Sequence, residues 1–296
     1  MKAGKNPDVS HSGLNWWLND KSRYGNKLEV EKIEDLEIPM SSYPKLEDVI
    51  FPKFPDNAYD KNEDIIPTWE TPKETLTLSQ SITYVPNITI ASDYELTIKY
   101  KDKDILMVDN LKLPQGKINL DGDGSLKIYV KDEMSLEGSS AINLVANNAS
   151  TSEKKEAAKK LEIYIKGDSN PNTNKKLKIG NDVRLYGSII AEDANFDIES
   201  GSSVAGNIFT WGKEIKISGG ASVITQMIYA PNGHTQLLGG AKVDGQIVSN
   251  TYYMDGGTSV SYDPNAGSGP IEPPFPWETV DDIEDLISSE NPIREK

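Results

Sequence analysis

The chain has 296 residues, no cysteine, three arginines and a formal net charge of −15 at pH 7. Disulfide frameworks, thiolate chemistry and Cys-ligated zinc are excluded, and the acidic balance argues against nucleic acid and anionic membrane surfaces as partners. No run of 18 apolar residues exists, so no helical membrane span is expected.

Residues 1–35 are polar and poorly patterned, apart from one apolar knot, Leu14-Asn-Trp16-Trp17-Leu18. A tryptophan pair of this kind is expected to dock a terminal arm on the chain's own core. The start, Met1-Lys-Ala-Gly-Lys-Asn6, reads as a trimmed or cleaved product and leaves room for an upstream anchor. Residues 36–72 are rich in proline and acid, with Ile38-Pro-Met40 and Phe51-Pro-Lys-Phe54-Pro55. Proline excludes central strands and helix interiors here, and the apolar residue beside each proline predicts an extended strap packed along the body. Residues 1–73 are therefore read as an arm and strap.

From Glu74 the pattern turns to β. Leu76-Thr-Leu78, Ile88-Thr-Ile90, Leu96-Thr-Ile98-Lys-Tyr100, Ile105-Leu-Met-Val108 and Ile118-Asn-Leu120 alternate or run apolar at strand length. Leu126-Lys-Ile-Tyr-Val130 and Leu161-Glu-Ile-Tyr-Ile165 are near copies. Between them, Ala149–Lys160 is a strong helix former with Thr151 or Ser152 available as N-cap. It lacks an apolar stripe and is expected as an exposed helical insertion.

Residues 176–264 hold a tandem repeat. Ile179, Ile198, Ile217, Leu237 and Met254 open five copies of one motif, spaced 19, 19, 20 and 17 apart. Each passes through a small-residue corner of Gly, Ser or Ala to Leu185, Val204, Val223, Val243 and Val260. Gly187, Gly206, Thr225, Gly245 and Tyr262 stand two residues later, and Ile189, Ile208, Met227 and Ile247 follow. A unit this short cannot bury its own apolar face, so it must stack on its neighbours. The fold predicted is all-β: a single-stranded parallel β-helix, or β-solenoid, over 74–264, with equivalent apolar residues stacked inward. The alternative, an antiparallel β-sandwich, gives no reason for one motif to recur five times.

Past Pro264 the repeats stop in Asn-Ala-Gly-Ser-Gly-Pro and Pro273-Pro-Phe-Pro-Trp277. Thr279–Ser289 then reads as an amphipathic helix with Val280, Ile283, Leu286 and Ile287 on one face. Residues 265–296 are read as a linker and an acidic C-terminal helix that covers the open end of the solenoid.

Candidate chemistry is sparse. The histidines are His11 and His234, too few for a His-rich metal site, and His234 reads as a solvated loop residue. Asp121-Gly-Asp123-Gly-Ser125, with Asp132 further on, begins like a calcium loop but has Leu126 where glycine is wanted, so a tight turn explains it better. Solenoids also host polysaccharide lyases and hydrolases. Asp182, Glu192, Asp193, Glu199, Glu214, Asp244 and Asp255 fall in the repeats, with Arg184 and Lys213 as the available bases, yet no pair is placed face to face. No catalytic, metal or cofactor residue is therefore assigned, and no cofactor is expected.

Ile228-Tyr-Ala-Pro-Asn232, Leu237-x-Gly-Gly-Ala241-x-Val243-x-Gly245-x-Ile247-Val248 and Gly256-Gly-x-x-Val260-x-Tyr262-Asp263-Pro264 carry a resemblance. The stretch 120–264 resembles an uncharacterised bacterial domain of exported, pilus-assembly, PilX-like surface proteins, departing from its usual pattern at Gly233, His234 and Ser261. Bactofilins, which form cytoplasmic polymers, are similar in their Gly-x-Ile steps but lack the Tyr-Ala-Pro-Asn turn. The resemblance implies a secreted or surface-displayed β-solenoid, and the chain is read as a structural or adhesive module with pilus or envelope components or a surface ligand as partner. A monomer is expected because Pro264 cannot donate to a further ladder and the acidic tail repels another copy. A solenoid carbohydrate-active enzyme and a bactofilin-like polymer are the alternatives.

Overall fold

The computed structural model describes residues 63–79, 82–146, 148–167 and 176–262. The Trp16–Trp17 knot, His11, most of the strap and the acidic helix expected over 279–289 lie outside the described residues.

Eighteen strands and one described helix wind into a parallel β-solenoid with three strand ladders. The first ladder stacks β1 (Lys73–Thr77), β3 (Glu95–Tyr100), β5 (Lys117–Gly122), β7 (Ala141–Ile142), β10 (Arg184–Tyr186), β13 (Ser203–Ala205), the starts of β16 (Ser222–Leu237) and β17 (Lys242–Met254), and β18 (Ser259–Ser261). The second stacks the first halves of β2 (Ile82–Thr89), β4 (Asp104–Leu113) and β6 (Leu126–Leu136) with β8 (Leu161–Ile165), β11 (Ser188–Ala191) and β14 (Ile208–Thr210), then the middles of β16 and β17. The third takes the second halves of β2, β4 and β6, then β9 (Lys176–Ile179), β12 (Asn195–Ile198), β15 (Glu214–Ile217) and the ends of β16 and β17. Every named pairing is parallel, and the second ladder counts eight rungs, hence eight coils.

The stacking is the one the repeat predicts. Ile179, Ile198, Ile217, Leu237 and Met254 are in register, as are Leu185, Val204, Val223, Val243 and Val260. All but the last of each column are buried; Met254 is 38% and Val260 41% exposed, because no described coil follows theirs. The near copies Leu126–Val130 and Leu161–Ile165 lie directly on one another, residue for residue.

Corners explain the small residues. Where the chain turns from the third ladder to the first, consecutive residues take the left-handed conformation: Asn181–Asp182, Ser200–Gly201, Gly219–Gly220, Gly239–Gly240 and Gly256–Gly257. Glycine enters this region without steric cost, and Asn, Asp and Ser tolerate it better than branched residues. Gly206 has a different reason. Its φ is 132°, and a Cβ there would run into the carbonyl oxygen of Gly187 in the preceding coil.

Three expectations need correction. The column Ile189, Ile208, Ile247 continues through Ile228, not Met227, because the pairing of β16 with β17 shifts between Ile224 and Met227. The 20-residue step of this coil places its extra residue there. The inserted helix, α1 (Thr151–Ala158), is capped by Ser150, whose side chain and Glu153 form a reciprocal capping box. It is not simply exposed: Ala157 and Ala158 pack on Tyr186, Ala205 and Ile224, which point outward from the first ladder. Asn143 Nδ2 fixes the insertion by donating to the carbonyls of Ala157 and Tyr186, both at 2.7 Å.

Candidate functional site

Strand alternation gives each ladder an outer column, and the three outer faces differ in chemistry. On the third ladder the column reads Lys178, Asp197, Lys216, Gln236, one side chain per coil. Opposite charges thus lie directly across neighbouring strands, the arrangement that stabilises a ladder from outside. Asp197 is buried; Lys176 Nζ stands 2.8 Å from its Oδ2 and Lys216 Nζ 3.7 Å from its Oδ1. The hydrogen bond and charge of Asp197 hold the Lys176 ammonium above its ordinary pKa. Gln236 Nε2 donates to Glu214 Oε1 at 3.2 Å, and Lys178 pairs with Glu199 at 3.3 Å.

The second ladder is apolar on its outside as well as its inside. Its outer column runs through Tyr84, Met107, Tyr129 and Tyr164 to Phe209 and Tyr229. Tyr129 and Tyr164 stack with ring centroids 4.5 Å apart, and Phe209 and Trp211 both pack on Tyr229. Beside the column's start, Tyr84 Oη donates to Asp109 Oδ2 at 2.6 Å, and burial together with this carboxylate raises the tyrosine pKa. Sequence alternation missed this face, although Ile105-Leu-Met-Val108, apolar at every position, is the signature of a strand buried on both sides.

The carboxylates considered for catalysis do not converge. Asp244 faces out from the first ladder toward Lys155 of α1, 3.8 Å away. Glu192 Oε2 accepts from the Gly167 amide at 2.6 Å, with Asp193 beside it, at the turn out of the second ladder. Asp182 occupies a left-handed corner, and Asp255 accepts from the Gly256 amide at 2.7 Å at a later copy of that corner. Glu199 and Glu214 are engaged on the third ladder, as above. Arg184 is exposed on the first ladder, and the Lys213 amide donates to Asn195 Oδ1 at 2.8 Å.

His234 is a strand residue rather than a loop residue. It opens the last third of β16, in register with Glu214 and Thr251, and its Nδ1 lies 2.7 Å from Thr251 Oγ1.

The calcium-like residues are also separated. Asp121 is the penultimate residue of β5; burial, then the charges of Asp123, Asp102 and Asp121, raises the pKa of Tyr100. Asp132 lies within β6 at the turn into the third ladder, where its charge acts on Tyr84 instead. The two ends of the would-be loop thus sit at different corners. Asp102 Oδ1 accepts the Ser125 amide at 2.9 Å, so the Asp-Gly turn is tied to the coil before it. No group of three or more His, Cys, Asp or Glu able to hold a metal ion occurs among the described residues.

Large apolar side chains are exposed at both ends of the described residues: Ile66 and Trp69 ahead of β1, and a group on the last described coil. Tyr252, Tyr253, Met254, Val260 and Tyr262 are all exposed, and β18 has a described partner on one side only.

Residues 29–211 match a family described as a domain of unknown function (DUF7305), and the chain belongs to that family. The match ends just after β14 and so takes in the first two of the five repeat copies. No curated protein and no solved structure matches the chain.

Proposed function

We propose that this member of the DUF7305 family is a non-catalytic structural or adhesive module, displayed at the cell surface or associated with a pilus. The observation that carries the reading is how the repeat-region carboxylates are used. Lys176, Lys178 and Gln236 engage Asp197, Glu199 and Glu214 on the third ladder, Lys155 engages Asp244 on the first, and the amides of Gly167 and Gly256 engage Glu192 and Asp255 at corners. A glycosidase or lyase instead needs two groups facing one substrate across a few ångströms. What the solenoid offers is a continuous apolar core through eight coils, which suits a stiff spacer or display element. The resemblance of the closing repeats, Ile228–Asn232 and Val260–Asp263, to exported PilX-like proteins supports the surface reading. The partners that fit are pilus or envelope components, or a surface ligand.

Two measurements test this. An antibody against the chain should label intact source cells, and external protease should remove the label. Labelling only after permeabilisation would refute surface display. Acidic and neutral glycans incubated with the pure protein should yield no reducing ends and no unsaturated product; steady turnover would establish the enzyme reading instead.

A further inference from the structure

The turn from the second ladder to the third differs between neighbouring coils. In β16 it holds Pro231, Asn232 and Gly233, between Ala230 and His234. In β17 the same turn holds Asn250 alone, between Ser249 and Thr251. Toward the preceding coil, pairing stops at Tyr229 and resumes at His234. Pro231, Asn232 and Gly233 therefore belong to neither ladder. Asn232 is exposed, and Gly233 beside it is buried.

Packing, not backbone angle, holds position 233 to glycine. A Cβ there would stand 3.1 Å from that of Ala230 and 3.2 Å from the carbonyl oxygen of Gly212 in the preceding coil. The corner thus sets glycine immediately after an exposed asparagine. This is the only Asn-Gly pair in the chain.

We propose that Asn232 is a site of spontaneous covalent modification, at which the Gly233 backbone nitrogen displaces the side-chain amide and leaves aspartate or isoaspartate. The nitrogen attacks Asn232 Cγ, and the new N–Cγ bond closes a succinimide ring. The Cγ–Nδ2 bond breaks, and Nδ2 departs as ammonia with the proton of the Gly233 amide. Water then opens the ring at either carbonyl, giving the aspartyl or the isoaspartyl chain. One water enters and one ammonia leaves. Three features favour the attack. Glycine has no Cβ to shield its nitrogen. The Asn232 side chain is exposed rather than packed. A residue outside both ladders reaches the ring-closing dihedral without breaking a rung, so the local opening costs little. Asn250 is equally exposed in the next coil, but Thr251 follows it, and a branched Cβ crowds the attacking nitrogen. The product adds a negative charge at the corner and, in the iso form, one backbone methylene. Both neighbouring ladders keep their register, because Asn232 pairs with neither. The charge accumulates with the age of the molecule while the fold persists.

The test uses the full chain, held folded at mildly alkaline pH and sampled over time, with a sample digested at once as baseline. The tryptic peptide Ile217–Lys242 contains Asn232 as its one asparagine. By mass spectrometry it should first lose ammonia and then appear as two acid forms, the isoaspartyl one accepting a methyl group from an isoaspartate methyltransferase. Asn250, in the peptide Val243–Arg294, should stay intact. The same conversion in urea sets the unhindered rate, and the folded chain should convert within about tenfold of it. Asn232→Gln should abolish the conversion. A peptide that keeps its mass in the folded protein while converting in urea, or that converts no faster than Asn250, overturns the proposal. Asn232→Asp carries the aspartyl product from the start and should melt with the parent; a melt well below the parent's would overturn the claim that the ladders keep their register.

Discussion

Replacing Val223 by aspartate probes the register of the whole repeat. Val223 is fully buried between Val204 and Val243 of the adjoining coils. Removing a buried valine from the core forfeits about 1.5–3 kcal/mol. The carboxylate that replaces it meets only apolar neighbours, and burial without a partner adds several kcal/mol more. The sum, about 4–7 kcal/mol, is comparable with the whole stability of many domains, commonly about 5–15 kcal/mol. Ser222→Asp places the same charge one residue away, on the outer face and in register with Lys242. It should cost less than about 1 kcal/mol. Thermal and urea melts of both variants at neutral pH decide the matter, and partial recovery of Val223→Asp at acid pH would mark the carboxyl as the cause. Burial raises the folded-state pKa of such a group, so the fold binds it best when protonated. Equal damage from the two variants, or a Val223→Asp melt that overlays the parent's, would refute the inward column.

Gly206→Ala should lose at least about 3 kcal/mol, since the new methyl meets the Gly187 carbonyl and the backbone there is left-handed. Gly220→Asn, where a Cβ has nothing within 4 Å and asparagine tolerates the conformation, should stay within about 1 kcal/mol; urea melts that rank the two the other way would contradict the corner geometry. The capping helix expected over 279–289 predicts that deleting 271–296 promotes oligomers through the apolar surface of the last described coil, which carries Tyr252, Met254 and Val260. Light scattering that shows an unchanged monomer would mean the tail caps nothing, and filaments from the intact chain would favour the polymer reading. In alkaline solution, Tyr84 contributes a slope. Its pKa is raised in the fold and ordinary, about 10, in the unfolded chain. Its contribution is therefore complete below about pH 10 and is lost as the pH rises further. Tyr84→Phe should flatten stability against pH above that point, and an unaltered slope would show that the hydroxyl does not matter.

The repeat was readable because its constraints are local. A left-handed pair at Gly219–Gly220 or Gly239–Gly240 selects residue type directly, and Val204, Val223 and Val243 must match because each touches the next. The slip from Met227 to Ile228 was not readable: both residues are apolar, and only the ladder shows which coil took the extra residue. α1 was misjudged because its packing face is only Ala157 and Ala158, too small to register as a stripe. The outer aromatic column was overlooked because alternation assigns every second residue to solvent. Continuous apolar runs such as Ile208-Phe209 and Ile228-Tyr229 contradicted that assumption.

Between Ile142 and Leu161 the chain leaves the solenoid, forms a capped helix and returns. The rungs around it do not notice. Ile142 pairs with Ile118 and Leu185, while Leu161 stacks on Leu126 and Ile163 pairs with Ile189. Each strand reads only the strands above and below it, so the path between two corners is free to lengthen. Closing a longer excursion costs only about 0.6 kcal/mol per doubling of its length. The corners are thus ports at which new surface can be grafted onto an unchanged frame. A lineage that must vary its outward appearance, while keeping one scaffold, can do so there without renegotiating the core.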